Sequence, residues 1–68
     1  MIADNIARYV EQKGIKQSVL AGAIGIKPQS MSKTLMGERT LSADEYRDIC
    51  LFLEVPFDKF MNEDVMLS

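Results

Sequence analysis

Apolar residues recur along this chain at steps of three and four, beginning with MIADNIARYVEQKG at its start. Ile2, Ile6, Tyr9 and Val10 form one stripe, with Ala3 and Ala7 beside it. Asp4, Asn5, Arg8, Glu11 and Gln12 fall largely on the other side. That period predicts an amphipathic helix with one face packed, ending at Gly14 after Lys13. KQSVLAGAIG predicts a second, shorter helix with Val19, Leu20, Ala23 and Ile24 inward. Ala21 and Gly22 lower its bulk and favour a close helix approach. Gly25 ends it, and Ile26 is expected to pack in the turn.

KPQSMSKTLMG predicts a third helix. Pro28 suits its first position, where a missing N–H costs nothing, Met31 and Leu35 point inward with Thr34 partly buried between them, and Gly37 is the stop. Lys27 is a poor N-cap. The fourth helix has the clearest start: Ser42 and Glu45 have the spacing of a capping box, Leu41 sits at the hydrophobic-staple position, and Asp44 supports the first turn. Its stripe is Tyr46, Ile49, Cys50 and Leu53, and Leu51 and Phe52 widen the apolar surface beyond it. PFDKFM predicts a short fifth helix starting at Pro56, with Phe57, Phe60 and Met61 on one side. Residues 62–68 have neither cap nor period and are expected to be a C-terminal tail to a domain spanning 1–61.

The expectation is therefore all-α: five short helices crossing over one another, none long enough for an up-and-down bundle. A chain of 68 residues buries only about 60% of the surface its unfolded form exposes, so it must pack efficiently or gain from a partner. The single cysteine, Cys50, allows no intrachain disulfide framework, which suggests a reducing cytoplasmic setting. No apolar run reaches membrane-helix length, and the N-terminal residues do not read as a signal peptide.

The net charge of −2 hides an asymmetry. Residues 1–40 carry six basic and three acidic side chains, whereas residues 41–68 carry two basic and seven acidic ones. A chain that is acidic overall can still meet nucleic acid when its basic groups share one face. Catalytic chemistry is poorly supplied. There is no histidine, so no imidazole triad or histidine-containing zinc site, and Cys50 lies on the predicted apolar face of the fourth helix. Asp44, Glu45, Asp48 and Glu54 lack the alternating ligand pattern of a calcium loop and read as a solvated helix face. The four glycines punctuate helices and do not form a phosphate-cradling loop. No enzyme activity, metal or cofactor is expected.

The second and third helices, joined by GIK, match the helix-turn-helix signature, although any helical corner with a glycine can imitate it. The surrounding residues make the match more specific: Gln17 opening the second helix, the Leu20-Ala21 pair, Gly25-Ile26 at the turn, Met31-Ser32 inside the third helix, Gly37 at its close, ER and TLS leading onward, and LEVPFDKF at the end. From about Ile6 to Phe60 the chain resembles the lambda-repressor-like family, including its Cro/C1-type and XRE-type DNA-binding domains. The resemblance implies a five-helix domain that binds double-stranded DNA through helices two and three. It places Pro28, Gln29 and Lys33 at base-reading positions, Ser30 near the backbone, Gln17 on a phosphate, and Arg39 in a loop that contacts backbone or groove.

The residues suit those roles chemically. Glutamine pairs bidentately with adenine, and lysine donates to guanine N7 or O6. Lys16, Lys27 and Arg39, with Gln17 and Ser18 at a helix N-terminus, suit phosphate contact. Taken without the resemblance, Gln29 and Lys33 also fit an ordinary exposed helix face. The chain departs from the family pattern in several places. Lys16 and Lys27 stand where serine is common. Val10 and Leu35 stand where many members pair an arginine with a glutamate. Pro28 lacks a polar side chain, although it can touch a thymine methyl, and Met36 replaces a residue that is often polar and contacts phosphate.

The resulting expectation is a sequence-specific DNA-binding transcriptional regulator of the phage or bacterial repressor kind, acting as a homodimer. Leu51, Phe52, Met66 and Leu67 are the candidates for the dimer contact; a partly covered local core accounts for them equally well. The alternative is a protein-interaction module on the same fold, such as an antitoxin or adaptor, working through the acidic C-terminal half.

Overall fold

In the computed structural model, which describes residues 2–61, local signals set the starts of the third and fourth helices and the stops of the first four. The helices are α1 (Ile2–Gln12), α2 (Gln17–Ile24), α3 (Pro28–Leu35) and α4 (Ala43–Leu53). Residues 59–61 open a fifth, so the fold is the expected all-α arrangement. That helix begins at 59 rather than at Pro56, whose carbonyl accepts from the Lys59 amide. Met66 and Leu67, two of the residues suggested for a dimer contact, lie outside the described residues, as does the expected tail at 62–68.

All four complete helices end alike. An amide two or three residues past the helix end reaches back to a carbonyl five positions earlier: Ile15 to Val10, Ile26 to Ala21, Glu38 to Lys33 and Val55 to Cys50, at 2.8–3.1 Å. Such endings need one residue in the left-handed conformation, for which glycine has no Cβ penalty. Gly25 supplies it between α2 and α3, with φ of 79°. At the end of α4 Glu54 supplies it, with φ of 58°, the one non-glycine residue with positive φ among the described residues. The start of α4 is the full capping box: Ser42 Oγ accepts from the Glu45 amide, and the Glu45 carboxylate accepts from the Ser42 amide, both at 3.1 Å.

The core takes residues from every helix: Ile6 and Val10, Leu20 and Ala21, Met31 and Leu35, Tyr46, Ile49 and Cys50, and Phe60. Val10 and Leu35 thus meet their surroundings as apolar core members. Phe60 fastens the C-terminal helix, with Tyr9 and Tyr46 both edge-on to it at 5.6 and 6.4 Å between ring centroids. Buried Asn5 donates from Nδ2 to the Phe60 carbonyl at 3.0 Å, tying α1 to the same point. Thr34 is fully buried rather than partly so, and its hydroxyl donates to the Ser30 carbonyl at 2.8 Å.

Two predicted faces are rotated. In α2 the buried residues are Leu20 and Ala21 with Ile24 half-buried, while Val19 and Ala23 are exposed. The helix packs on both α3 and α4, so Ala21, one residue beyond Leu20, enters the core. Gly22 faces open space and mediates no close approach. In the last segment Phe60 alone is buried; Phe57 and Met61 are exposed.

Candidate nucleic-acid interface

The packing of α3 decides what is left outside it. Met31, Thr34 and Leu35 are buried, which turns Gln29, Lys33 and Met36 outward, with Ser32 half-buried beside them. Residues at i, i+3, i+4 and i+7 share one helix face, so these four form a single stripe. Pro28 occupies the first helical position as expected and is exposed. Ser30 is half-buried, with its carbonyl engaged by Thr34.

At the neighbouring helix start, Lys16, Gln17 and Ser18 are all exposed. Lys16 and Lys27 are the N-caps of α2 and α3, both extended in backbone, and neither caps through its side chain. Among the described residues Lys16, Lys27 and Lys33 enter no ion pair. The first amides of a helix have no carbonyl partner within it, so α2 and α3 each present N–H groups with a lysine alongside. The expected contact residues other than Ser30 and Arg39 therefore stand at the surface of one packed helix pair.

Arg39 is different. The sequence suggests a free loop cation, but its guanidinium is already gripped from two sides. Nη1 donates to Thr34 Oγ1 and Glu45 Oε1, each at 3.0 Å, and Nη2 donates to Glu45 Oε2 at 2.7 Å. Those hydrogen bonds, above all, hold the Glu45 carboxyl down to about 2, with the Ser42 amide adding to the effect. The clamp joins the end of α3, the loop after it and the cap of α4. Nothing in the residue spacing signals it, because Arg39 lies outside any helical period.

On α4 and the segment after it, Leu51, Phe52, Phe57 and Met61 are exposed apolar residues. Phe57 and Met61 join the two expected from the sequence. Arg47 lies 3.7 Å from Asp44 and 3.5 Å from Asp48, an exposed ion-pair row. Burial pushes the Cys50 thiol up and the Tyr46 phenol up to about 12, so neither is activated for chemistry at neutral pH. Tyr46 donates its hydroxyl to the Phe57 carbonyl. An open groove of about 670 Å³ runs between the start of α1, the loop 37–42 and Met61. No three His, Cys, Asp or Glu side chains converge on a metal position among the described residues. No helix there is long and apolar enough to cross a membrane.

A family model described as Helix-turn-helix matches residues 6–60, a stretch that takes in α2, α3 and the turn between them. No curated protein and no solved structure gives a significant match.

Proposed function

We propose that this chain, which belongs to the helix-turn-helix family of the XRE and Cro/C1 type, is a repressor that reads its operator with the outer stripe of α3 and works as a homodimer. Members of that family are DNA-binding transcriptional regulators and not enzymes, and sequence-specific DNA binding is this chain's activity. The single observation that supports the docking mode is the division of α3: one edge sealed into the core, the other exposed and carrying Gln29 and Lys33, with unpaired Lys16 and Lys27 at the starts of α2 and α3.

In this reading α3 enters the major groove. Gln29 pairs with the N6 and N7 of an adenine, and Lys33, one turn on, donates to a guanine. Each good pair contributes about 1–3 kcal/mol of discrimination. Pro28 packs on a thymine methyl at the groove's edge. Lys16, Lys27 and the start of α2 at Gln17 and Ser18 hold one phosphate strand, with Ser30 beside it. Arg39, neutralised by Glu45, acts on DNA by holding the loop after α3 in place. A module this small contacts few phosphates, so two copies spanning half-sites roughly 34 Å apart gain the affinity one lacks. Leu51 and Phe52, with Phe57, supply the apolar contact between copies. Repression then requires no chemistry, since an occupied promoter excludes polymerase.

Titration of fluorescent mixed-sequence duplex at two salt concentrations tests the reading. Binding that weakens steeply with salt is expected. No binding even at low salt refutes it and favours the rival role, a protein-interaction module working through the acidic C-terminal half. Selection of bound duplexes from a random library then returns the operator and its two-fold symmetry.

A further inference from the structure

Met36 does not belong with the rest of the exposed stripe. It is 65% exposed, more than any other large apolar residue described, and it follows the polar Gln29, Ser32 and Lys33 on the same edge of α3. Its side chain is laid along that edge. Ser32 Oγ lies 3.9 Å from Met36 Sδ, so the thioether folds back over the last turn of α3 and not into the loop. It is neither a core residue nor one of the partly buried apolar residues packed against the core.

We infer that Met36 is a specificity-determining residue that reads the C5-methyl group of a pyrimidine in the major groove. The inference rests on the proposed docking of α3. Met36 stands where the resemblance implies a polar phosphate contact. A thioether has no donor for a phosphate and is only a weak acceptor, so it gives up that role and discriminates by apolar contact. The C5-methyl is the apolar feature a base pair presents in that groove. The spacing fixes where it lies. Seven residues of helix separate Gln29 and Met36 by ~10.5 Å. Each base advances a strand by ~3.4 Å. For an α3 lying along the groove, the methyl group is about three steps from the adenine paired with Gln29, and the base met by Lys33 falls between them. Ser32, holding the sulfur, is a positioning residue for this contact.

The test uses the duplex that the full chain selects from a random library. Each thymine in a half-site is replaced in turn by deoxyuridine, which removes only the methyl group. At one thymine, about three steps from the Gln29 adenine, wild type is expected to lose about fourfold in affinity, the equivalent of ~0.8 kcal/mol for one buried methyl-sized group. Met36→Ala is expected to bind the two duplexes equally, and Met36→Leu to keep the preference. In parallel, cytosine and 5-methylcytosine are compared at that position. A preference for both methylated bases supports reading of the methyl in either setting. A preference for thymine over deoxyuridine alone supports thymine as the source. Wild type indifferent to every deoxyuridine, or Met36→Ala as sensitive as wild type, overturns the inference. Gln29→Ala and Lys33→Ala are measured on the same duplexes. If they leave every base preference intact, α3 is not the reader and the docking proposal itself fails. If they abolish theirs while Met36→Ala changes nothing, only the role of Met36 fails.

Discussion

Arg39 Nη2 lies 2.7 Å from Glu45 Oε2, and the same carboxylate accepts from the Ser42 amide that begins α4. One side chain therefore caps a helix and anchors the loop that follows α3. Because Glu45 titrates at about 2 in the folded chain and near its ordinary 4.5 when unfolded, the unfolded chain takes up the proton first as pH falls. The stability Glu45 contributes is complete above about pH 4.5 and is lost between there and about 2. Glu45→Gln is expected to cost about 1–2 kcal/mol at pH 7, the scale of a helix cap with a partly screened ion pair. Chemical denaturation of both proteins from pH 7 to pH 2.5 should show that difference shrinking towards zero.

The same clamp predicts how cations divide between stability and DNA. Replacing Lys16 or Lys27 by alanine should leave the melting temperature nearly unchanged and reduce the slope of log affinity against log salt by about 0.9 for each lost phosphate contact. Arg39→Ala should do the reverse, lowering stability more than it changes the slope. An Arg39→Ala slope reduced as much as that of Lys16→Ala would assign Arg39 a direct phosphate contact.

Gln29 and Lys33 are exposed and unencumbered, so alanine at both should not disturb folding. Binding to the selected operator should fall by about 1–3 kcal/mol for each lost base pair contact, while binding to unrelated duplex changes little for Gln29→Ala. Competition of operator against random duplex measures that ratio. A ratio equal to wild type in both variants would place the reading surface elsewhere.

How far the sequence discloses this molecule depends on the range of each signal. The α4 cap is legible because its two partners are three residues apart and chemically distinctive. The stripe of α3 is legible because Met31 and Leu35 stand out among polar neighbours. In α2 nearly every residue is apolar or small, so periodicity cannot choose a face; contact with both α3 and α4 does. Phe57 and Phe60 differ for a similar reason, since only the ring of the second packs edge-on against Tyr9 and Tyr46. The Arg39 clamp links a loop residue to a helix start, and no period describes that. It is also the reason one expected contact residue is half-occupied within the chain.

Glu54 closes α4 in a conformation that costs most residues about 1–2 kcal/mol and glycine nothing. Glu54→Gly should therefore stabilise the domain, by about 1 kcal/mol once the larger unfolded-state entropy of glycine is subtracted. Neither a core contact nor a proposed DNA contact is touched, so affinity should be unchanged. Thermal denaturation compared with Glu54→Ala, which keeps the strained geometry, separates the backbone effect from loss of the charge.

Leu51 and Phe52 are 60% and 41% exposed, a cost in solubility that a monomer has no use for. If copies pair through them, charge placed there must oppose association, because two carboxylates are brought together by symmetry for every one introduced. Phe52→Glu, and Leu51→Glu separately, should convert dimer to monomer in sedimentation equilibrium while circular dichroism of the fold is retained. Affinity for a duplex with both half-sites should fall steeply, and affinity for a single half-site should stay near wild type. Weakening of both duplexes alike would move these residues from the pairing surface into the fold, and unaltered dimers would place the contact on another face.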